Sequence, residues 1–383
     1  MLYIITLYCG KKGEKLDLSF LAPDIKIQGF LSGYFTCHFT LRTLYFLIQA
    51  VTEMQGVLNP MQQVRESCAR VVAGATHVSL DEAAIETYAA SIQTTDGKVL
   101  MEGVEWDACG WHYNADATAG GPMTCQYVFL MDALNFCFWP SEGLEYDTLA
   151  LSLKHALEGD SHAFDASNLV NMTAEKLASW FPTHLPLPQI DERVLRVQEL
   201  GCVLESEFQG LAANMLRRAA GSAVRLVQLL LQYIPGFRDT SIYKGRLVHL
   251  YKRVQICVGD VWAAYGRRTA PQSDSDVFYF TDIDQLTMFA DYRVPQILRA
   301  MNVMRYSDSL ALAVDCRQEI PFGSEQEVEI RACTVIAVDL LQQALRRRGL
   351  HLLVVEVDWL LWQRGEAQKD ELLPHHRTST IFY

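Results

Sequence analysis

Two polar groups set into apolar surroundings are where this sequence could do chemistry. The first is Asp291-Tyr292-Arg293, flanked by the helically spaced Leu286, Phe289 and Ala290 on one side and Val294, Ile297 and Leu298 on the other. Pro295 stands at the join. Inside a helix a proline gives no N–H to the carbonyl four residues earlier, here that of Asp291, and its ring presses on that carbonyl. One reading therefore breaks a helix at the acid. The other has Pro295 merely open a second helix, with Asp291 in a solvated connection. A carboxylate held out of water at a broken helix can take a proton or steady a developing positive charge.

The second group is Asp132 and Asn135, the strongly polar residues in the run from Cys125 to Phe138. On a helix they share one face, a turn apart. Either they cap neighbouring backbone in a core helix, or they read a ligand edge in a pocket with Phe136, Phe138 or Trp139 as an aromatic wall. Two polar residues on one face beside three aromatics favour the pocket. Lys252 falls in a helix expected over Leu247 to Tyr265, and Glu329, in a helix over Gln326 to Leu345, is a candidate buried acid.

The elements that must hold these groups read as helices almost throughout. Met61 to Val72 and Leu80 to Ile92 carry apolar residues at helical spacing, the second opened by Ser79 with Glu82 three residues on, a capping box. Gly103 to Gly121 is an irregular loop holding Trp106, Trp111, His112 and Tyr113. Tyr146 to Leu157 is helical, a further helix ends at Trp180-Phe181, and Leu204 to Ile234 reads as one long amphipathic helix stopped by Pro235-Gly236. Phe237 to Tyr243 is a connector, and Gly245-Arg246 opens the lysine helix. Arg267 to Asp276 is an exposed loop. His376-Arg377 through Tyr383 ends the chain in apolar and aromatic residues, the mark of a tail that docks.

Composition excludes several classes. The net charge is −12, which argues against a protein that holds a polyanion through many phosphate contacts, while a small anionic ligand needs only a few local cations. The ten cysteines are scattered with no Cys-x-x-Cys pair, as expected of reduced thiols in an intracellular protein. Residues 1–57 differ in character from the rest. Ile27 to Val51 is aromatic yet carries His38, Arg42 and Gln49, making a poor membrane span and an ill-formed signal peptide. Upstream sequence wrongly joined to the gene is favoured there over a buried hairpin or a weak anchor. The phosphate-binding glycine loops, the hydrolase nucleophile elbow and the His-Glu-x-x-His zinc motif are all missing from the sequence.

Taken together, Asn59-Pro60 with the helix after it, Asp132-Ala-Leu-Asn-Phe-Cys-Phe-Trp139, Tyr251-Lys252-Arg253, Thr287-Met-Phe-Ala-Asp-Tyr-Arg-Val-Pro295, Glu327-Val-Glu-Ile-Arg331, Asp358-Trp359 and the tail from His376-Arg377 to Tyr383 resemble the queuosine salvage protein family, the queuosine 5′-phosphate N-glycosidases. The pieces run in the family's order over 58–383, leaving 1–57 as an extension outside the match. The resemblance implies a mostly helical single domain like the helix-hairpin-helix DNA glycosylases, and hydrolysis of queuosine 5′-phosphate to queuine and ribose 5-phosphate in the cytoplasm, salvaging queuine for tRNA modification. It implies no cofactor, no metal, no stable nucleic acid and no membrane. In such glycosylases a lysine or aspartate follows a hairpin and faces the anomeric carbon, and Lys252 and Asp291 are similar in order and setting.

Residue chemistry agrees with this reading. Breaking an N-glycosidic bond builds positive charge on the sugar, so Asp291 is the expected catalytic carboxylate. A 7-deazapurine lacks the ring nitrogen that ordinary purine glycosidases protonate, so help for the leaving base must reach N3 or the exocyclic oxygen, and Asp132, Asn135 or a water they hold could supply it. Phe136, Phe138, Trp139 and Tyr292 are candidates to stack on the base, and Asp132 or Glu329 to take the secondary amine of its side chain. Lys252, Arg293, His376 and Arg377 are candidates for the 5′-phosphate. Arg293 could instead pair with Asp291, and Lys252 could be a plain ion-pair partner. The alternative of another class is a nucleobase- or RNA-binding module without chemistry. A DNA repair glycosylase is disfavoured by charge.

Overall fold

In the computed structural model of the chain, Asn59 opens the described residues as a helix cap: its side chain accepts from the amide of Met61, and Pro60 sits at the first helical position, where a missing N–H costs nothing. The structure describes residues 59–92, the backbone of 94–95 and 98–99, and residues 106–383. The expectations for residues 1–57 lie outside them.

The described chain is mostly helical, as expected, and its β structure among the described residues amounts to small two-stranded antiparallel pairings and a single parallel bridge between Glu319 and Arg377. The central helix is Glu325–Arg347, which packs against Pro60–Gly74, Glu82–Ser91 and Val354–Ala367. A second group is built on Lys252–Ala264, which lies against Met123–Leu134; that helix also touches Tyr146–Gly159 and Ile190–Phe208. Met123–Leu134 is apolar all round because it is buried all round. Among the described residues no helix is long and apolar enough to cross a membrane.

Several local readings of the sequence are corrected. Ser79 lies in the strand Val78–Leu80, paired with Met304–Tyr306, and Asp81 caps the following helix by accepting from Ala84. Ser and Asp are comparable caps, and the strand pairing decides between them. The expected long helix over Leu204 to Ile234 is three, Ile190–Phe208, Ala212–Ala219 and Ala223–Tyr233. It is interrupted at Gly210 and Gly221, whose φ angles are +81° and +76°. Gly221 also sits where an added Cβ would meet the Tyr279 ring at 2.5 Å, so the break serves packing as well as direction.

The connector before the lysine helix is a β-hairpin, Thr240–Tyr243 with Arg246–His249, and Gly245 (φ +77°) is in its turn rather than at the start of a helix. Lys252 is instead the first residue of Lys252–Ala264, straight after Tyr251 in the left-handed conformation. No helix precedes Pro295: residues 286–292 are irregular, and Pro295 is the third residue of Arg293–Ala300, in the first turn, where its missing N–H has no helical partner to lose. The reading in which Pro295 opens a second helix as its first residue is right that a helix begins here, although it begins two residues earlier, at Arg293. It is wrong about the acid, because Asp291 is only 8 % exposed.

Candidate active site

An irregular segment can be buried only if its backbone groups find partners. Residues 285–291 find them on side chains. Arg65 donates to the carbonyls of Gln285 and Leu286, and Gln255 accepts from the amide and hydroxyl of Thr287 at 2.8 and 2.9 Å. Asp358 accepts from the amide of Phe289 at 3.0 Å, and Arg331 donates to the carbonyl of Ala290 at 3.0 Å. Asp291 then closes the segment by accepting from the amides of Arg293 and Val294 at 3.1 and 3.0 Å. Gly259 and Gly365 allow the approach of neighbours: a Cβ at Gly259 would meet the Phe289 ring at 2.9 Å, and one at Gly365 the Arg293 side chain at 2.9 Å.

Lys252 is positioned by a buried ion network. Asp239 accepts from the amide of Lys252 at 3.0 Å and holds Arg331 through both oxygens, at 3.0 and 2.6 Å. Arg331 also reaches Glu327 at 3.5 Å, with both side chains fully buried. From this anchored helix start, the Lys252 ammonium donates to the backbone oxygen and Oδ1 of Asn135, at 3.2 and 3.3 Å. Asn135 follows the end of Met123–Leu134 and donates to Asp132 Oδ1 at 3.2 Å. The last carbonyls of that helix are taken by two buried arginines, Arg193 and Arg253, whose guanidiniums lie 4.5 and 5.1 Å from the Phe136 ring centroid.

These pieces meet at a cavity of about 420 Å³ lined by Lys252, Asp291, Asn135, Phe138 and Tyr292, within the size range of small-molecule sites. Sequence reasoning singled out all five. It assigned no site role to Asp260, Asp358, Tyr146, Trp359, Trp362 or Tyr383, which line the same space, or to Trp106, Trp111 and His112 from the aromatic loop. Helical spacing alone could have found Asp260, because 252, 256, 260 and 263 fall on one face and all line the cavity.

Other candidates stand elsewhere. Asp132 is fully buried beneath Asn135, outside the cavity lining, so it reaches a ligand only through its neighbour. Phe136 is the wedge between two guanidiniums and not a stacking wall. Trp139 donates its indole N–H to Thr378 and, with Arg377 above its ring, ties down the tail. His376 meets the Tyr383 hydroxyl at 3.2 Å, and Arg293 pairs with Glu366 at 2.6 Å and Gln296 at 2.6 Å. Of the four cations suggested for a phosphate, only Lys252 lines the cavity.

Glu329 is the clearest correction. It is fully buried outside the cavity lining, accepting from the amides of Thr76, His77 and Val78 and from the Tyr243 hydroxyl. A carboxylate that satisfies three amides is a structural clamp. Glu329→Ala is expected to destabilise folding by about 3 kcal/mol or more, because the buried Val78 amide and Tyr243 hydroxyl and the partly buried amides of Thr76 and His77 lose their acceptor together, while the folded protein keeps its substrate KM. Urea unfolding and steady-state kinetics check the two halves.

Electrostatics sort the acids. Burial raises Asp291 above the usual carboxylate range, and Lys252, the Val294 amide and Arg293 pull it back. Asp358 is pushed well above that range, first by burial and then by Asp291, against only the Phe289 amide and Lys252. Asp260 is raised well above it by burial and by Asp132. Lys252 is lowered by burial, against the pull of Asp291 and Asp132. His112 is brought down to about 4 by burial. The arrangement is a pair of carboxyls with unequal hold on the proton, which is what acid and base roles at one pH require.

Known proteins resemble the chain over most of its length. The description "Queuosine salvage protein" covers the family that matches residues 112–383. A protein of Dictyostelium discoideum named queuosine 5′-phosphate N-glycosylase/hydrolase is 42 % identical over 332 residues, 85 % of this chain and all of that protein. One of the same name from Sphaerobacter thermophilus is 40 % identical over 283 residues, 71 % of this chain and 85 % of its own length. A third, from Mus musculus, is 31 % identical over 281 residues, 67 % of this chain and 81 % of its own.

Proposed function

The chain belongs to the queuosine salvage protein family, and from that premise we propose that it hydrolyses the N-glycosidic bond of queuosine 5′-phosphate, releasing queuine and ribose 5-phosphate. The observation that carries the reading is the convergence of a buried carboxylate and a buried ammonium, Asp291 and Lys252, on one aromatic-walled cavity.

In the proposed reaction the bond from C1′ to the base breaks with its electrons passing to the base, and a water oxygen bonds to C1′. Asp291, ionised with the help of Lys252 and two amides, stabilises the cationic sugar and accepts the proton that the water gives up. Asp358, whose hold on its proton is strengthened by burial and by Asp291, gives it to the departing base. Solvent then restores both acids. Phe138 and Tyr292 flank the base. Lys252 is the cation, from the set suggested by the sequence, that remains within reach of substrate. Asn135 positions Lys252 through its two oxygens.

Queuine release from queuosine 5′-phosphate, followed by liquid chromatography, tests the reading. Tight binding without product in a single turnover would return the protein to the class of binding modules. The pH profile adds a test of roles. Because burial raises Asp291, the acid limb of kcat/KM is expected above the ordinary carboxylate range. Removing the positive charge of Lys252 takes away the largest influence that lowers Asp291, so in Lys252→Met the limb moves to still higher pH and turnover falls at least about tenfold. An unmoved limb would separate Lys252 from Asp291.

A further inference from the structure

Each acid that lines the cavity can be matched with what compensates its charge. Asp291 has two amides and Lys252. Asp358 has the Phe289 amide. Glu366 has Arg293 at 2.6 Å and Lys369 at 3.3 Å. Asp260 is different. It is 5 % exposed, and its Oδ2 is enclosed without a hydrogen-bond partner among the described residues. The nearby Tyr146 hydroxyl is engaged by His112 Nε2 at 2.9 Å. His112, neutral and with Nδ1 committed to the Trp106 carbonyl, can only accept there, so the Tyr146 hydroxyl, close enough to Asp260 to lower its carboxyl, has its proton engaged at the imidazole. Asp132, fully buried with its own Oδ2 unpartnered, adds negative charge behind Asp260.

A buried acid without a partner costs free energy unless the ligand brings one. We propose that Asp260 is a specificity-determining residue that accepts a charged hydrogen bond from the amine on the side chain of the base. This deepens the queuosine 5′-phosphate reading and rests on it. Placement supports it. Asp260 stands eight residues beyond Lys252 on the same helix, about 12 Å along the axis at 1.5 Å per residue, with Ile256 of the cavity wall between them. A base whose sugar bond lies at the Lys252 and Asp291 end therefore extends its five-membered-ring substituent toward Asp260. An ammonium there would meet two carboxyls, Asp260 with Asp132 behind it, at the far end of the helix from Lys252, the lysine of the lining.

The test uses two free bases that differ in one group, 7-aminomethyl-7-deazaguanine and its neutral 7-hydroxymethyl counterpart, with the affinity of each measured by calorimetry at neutral pH. The wild-type protein is expected to prefer the amine at least about tenfold, the usual size of a charge-assisted hydrogen bond in a desolvated site. In Asp260→Asn that preference falls below about threefold while the affinity for the hydroxymethyl base is unchanged. Equal affinities in the wild-type protein overturn the proposal without recourse to any variant. So does equal weakening of both bases in Asp260→Asn, which would make Asp260 a reader of the purine edge that the two share. Queuine release by the wild-type enzyme reports on the underlying reaction separately, so an active enzyme indifferent to the amine sinks only this inference.

Discussion

Asp291→Asn should lose about three orders of magnitude or more in turnover of queuosine 5′-phosphate while keeping its fold. The loss follows from charge: a neutral amide neither accepts the proton of the attacking water nor opposes the positive charge that grows on the sugar, and electrostatic groups of this kind account for large parts of such barriers. The fold survives because Asn keeps an oxygen where Asp291 accepts from the Arg293 and Val294 amides. Circular dichroism and a thermal melt establish the second point, and chromatographic queuine assays the first. Activity within tenfold of wild type would take the role from Asp291 and pass it to Asp358, the other carboxyl in contact with the same segment.

Arg331→Met should have the largest effect on stability, about 3–5 kcal/mol, the range for removing one partner of a buried ion pair. Its guanidinium is the shared counter-charge of Asp239 and Glu327, and it also donates to the Ala290 carbonyl and lies 4.2 Å over the Tyr383 ring. With it gone, two carboxylates are left in the interior facing one another. Asp239 holds the amide of Lys252, and Ala290 precedes Asp291, so the folded fraction is expected to lose turnover as well. Combining Arg331→Met with Asp239→Asn should cost less than the sum of the two single changes, because the second change removes the charge that the first left unpaired. Denaturant unfolding of the three variants reads this directly, and strict additivity would show that the pair does not act as a unit.

The helices and the polar residues of the site were legible to different degrees. Helical spacing located Tyr146–Gly159 and Glu325–Arg347 to within a few residues, because each buries one face, while Met123–Leu134 showed only as an unbroken apolar run because it is buried all round. It failed at Leu204 to Ile234, where apolar periodicity runs through two glycines that break the chain, and at Leu247, whose strand pairing with Ile242 has the same local pattern as a helix start. Glu329 and Asp291 looked alike in the sequence, as acids among apolar residues. One meets three amides of the Thr76–Val78 turn and the other faces the cavity, and that difference depends on segments about 250 residues away in the case of Glu329. Arg293, His376 and Arg377 were read as phosphate ligands because cations near an acid or a docking tail suit an anion. Arg293 and His376 are taken up by protein partners, and Arg377 stacks over Trp139 outside the cavity.

The sequence by itself determined that this is a mostly helical protein with a net charge of −12, and it singled out Asp291, Lys252 and Asn135 as polar residues among apolar ones. Those are properties of composition and spacing, which local chain physics turns into elements and anomalies. Only the tertiary structure decided which anomalies face one another: it buried Asp291 in a segment with no helix before it, set Lys252 on the Asp239–Arg331 network, brought Asp260 and Asp358 to the same cavity and sent Glu329 elsewhere. The reason is that a carboxylate's role depends on how far it is desolvated and what stands within a few ångströms, and both are settled by contacts between residues far apart in the chain.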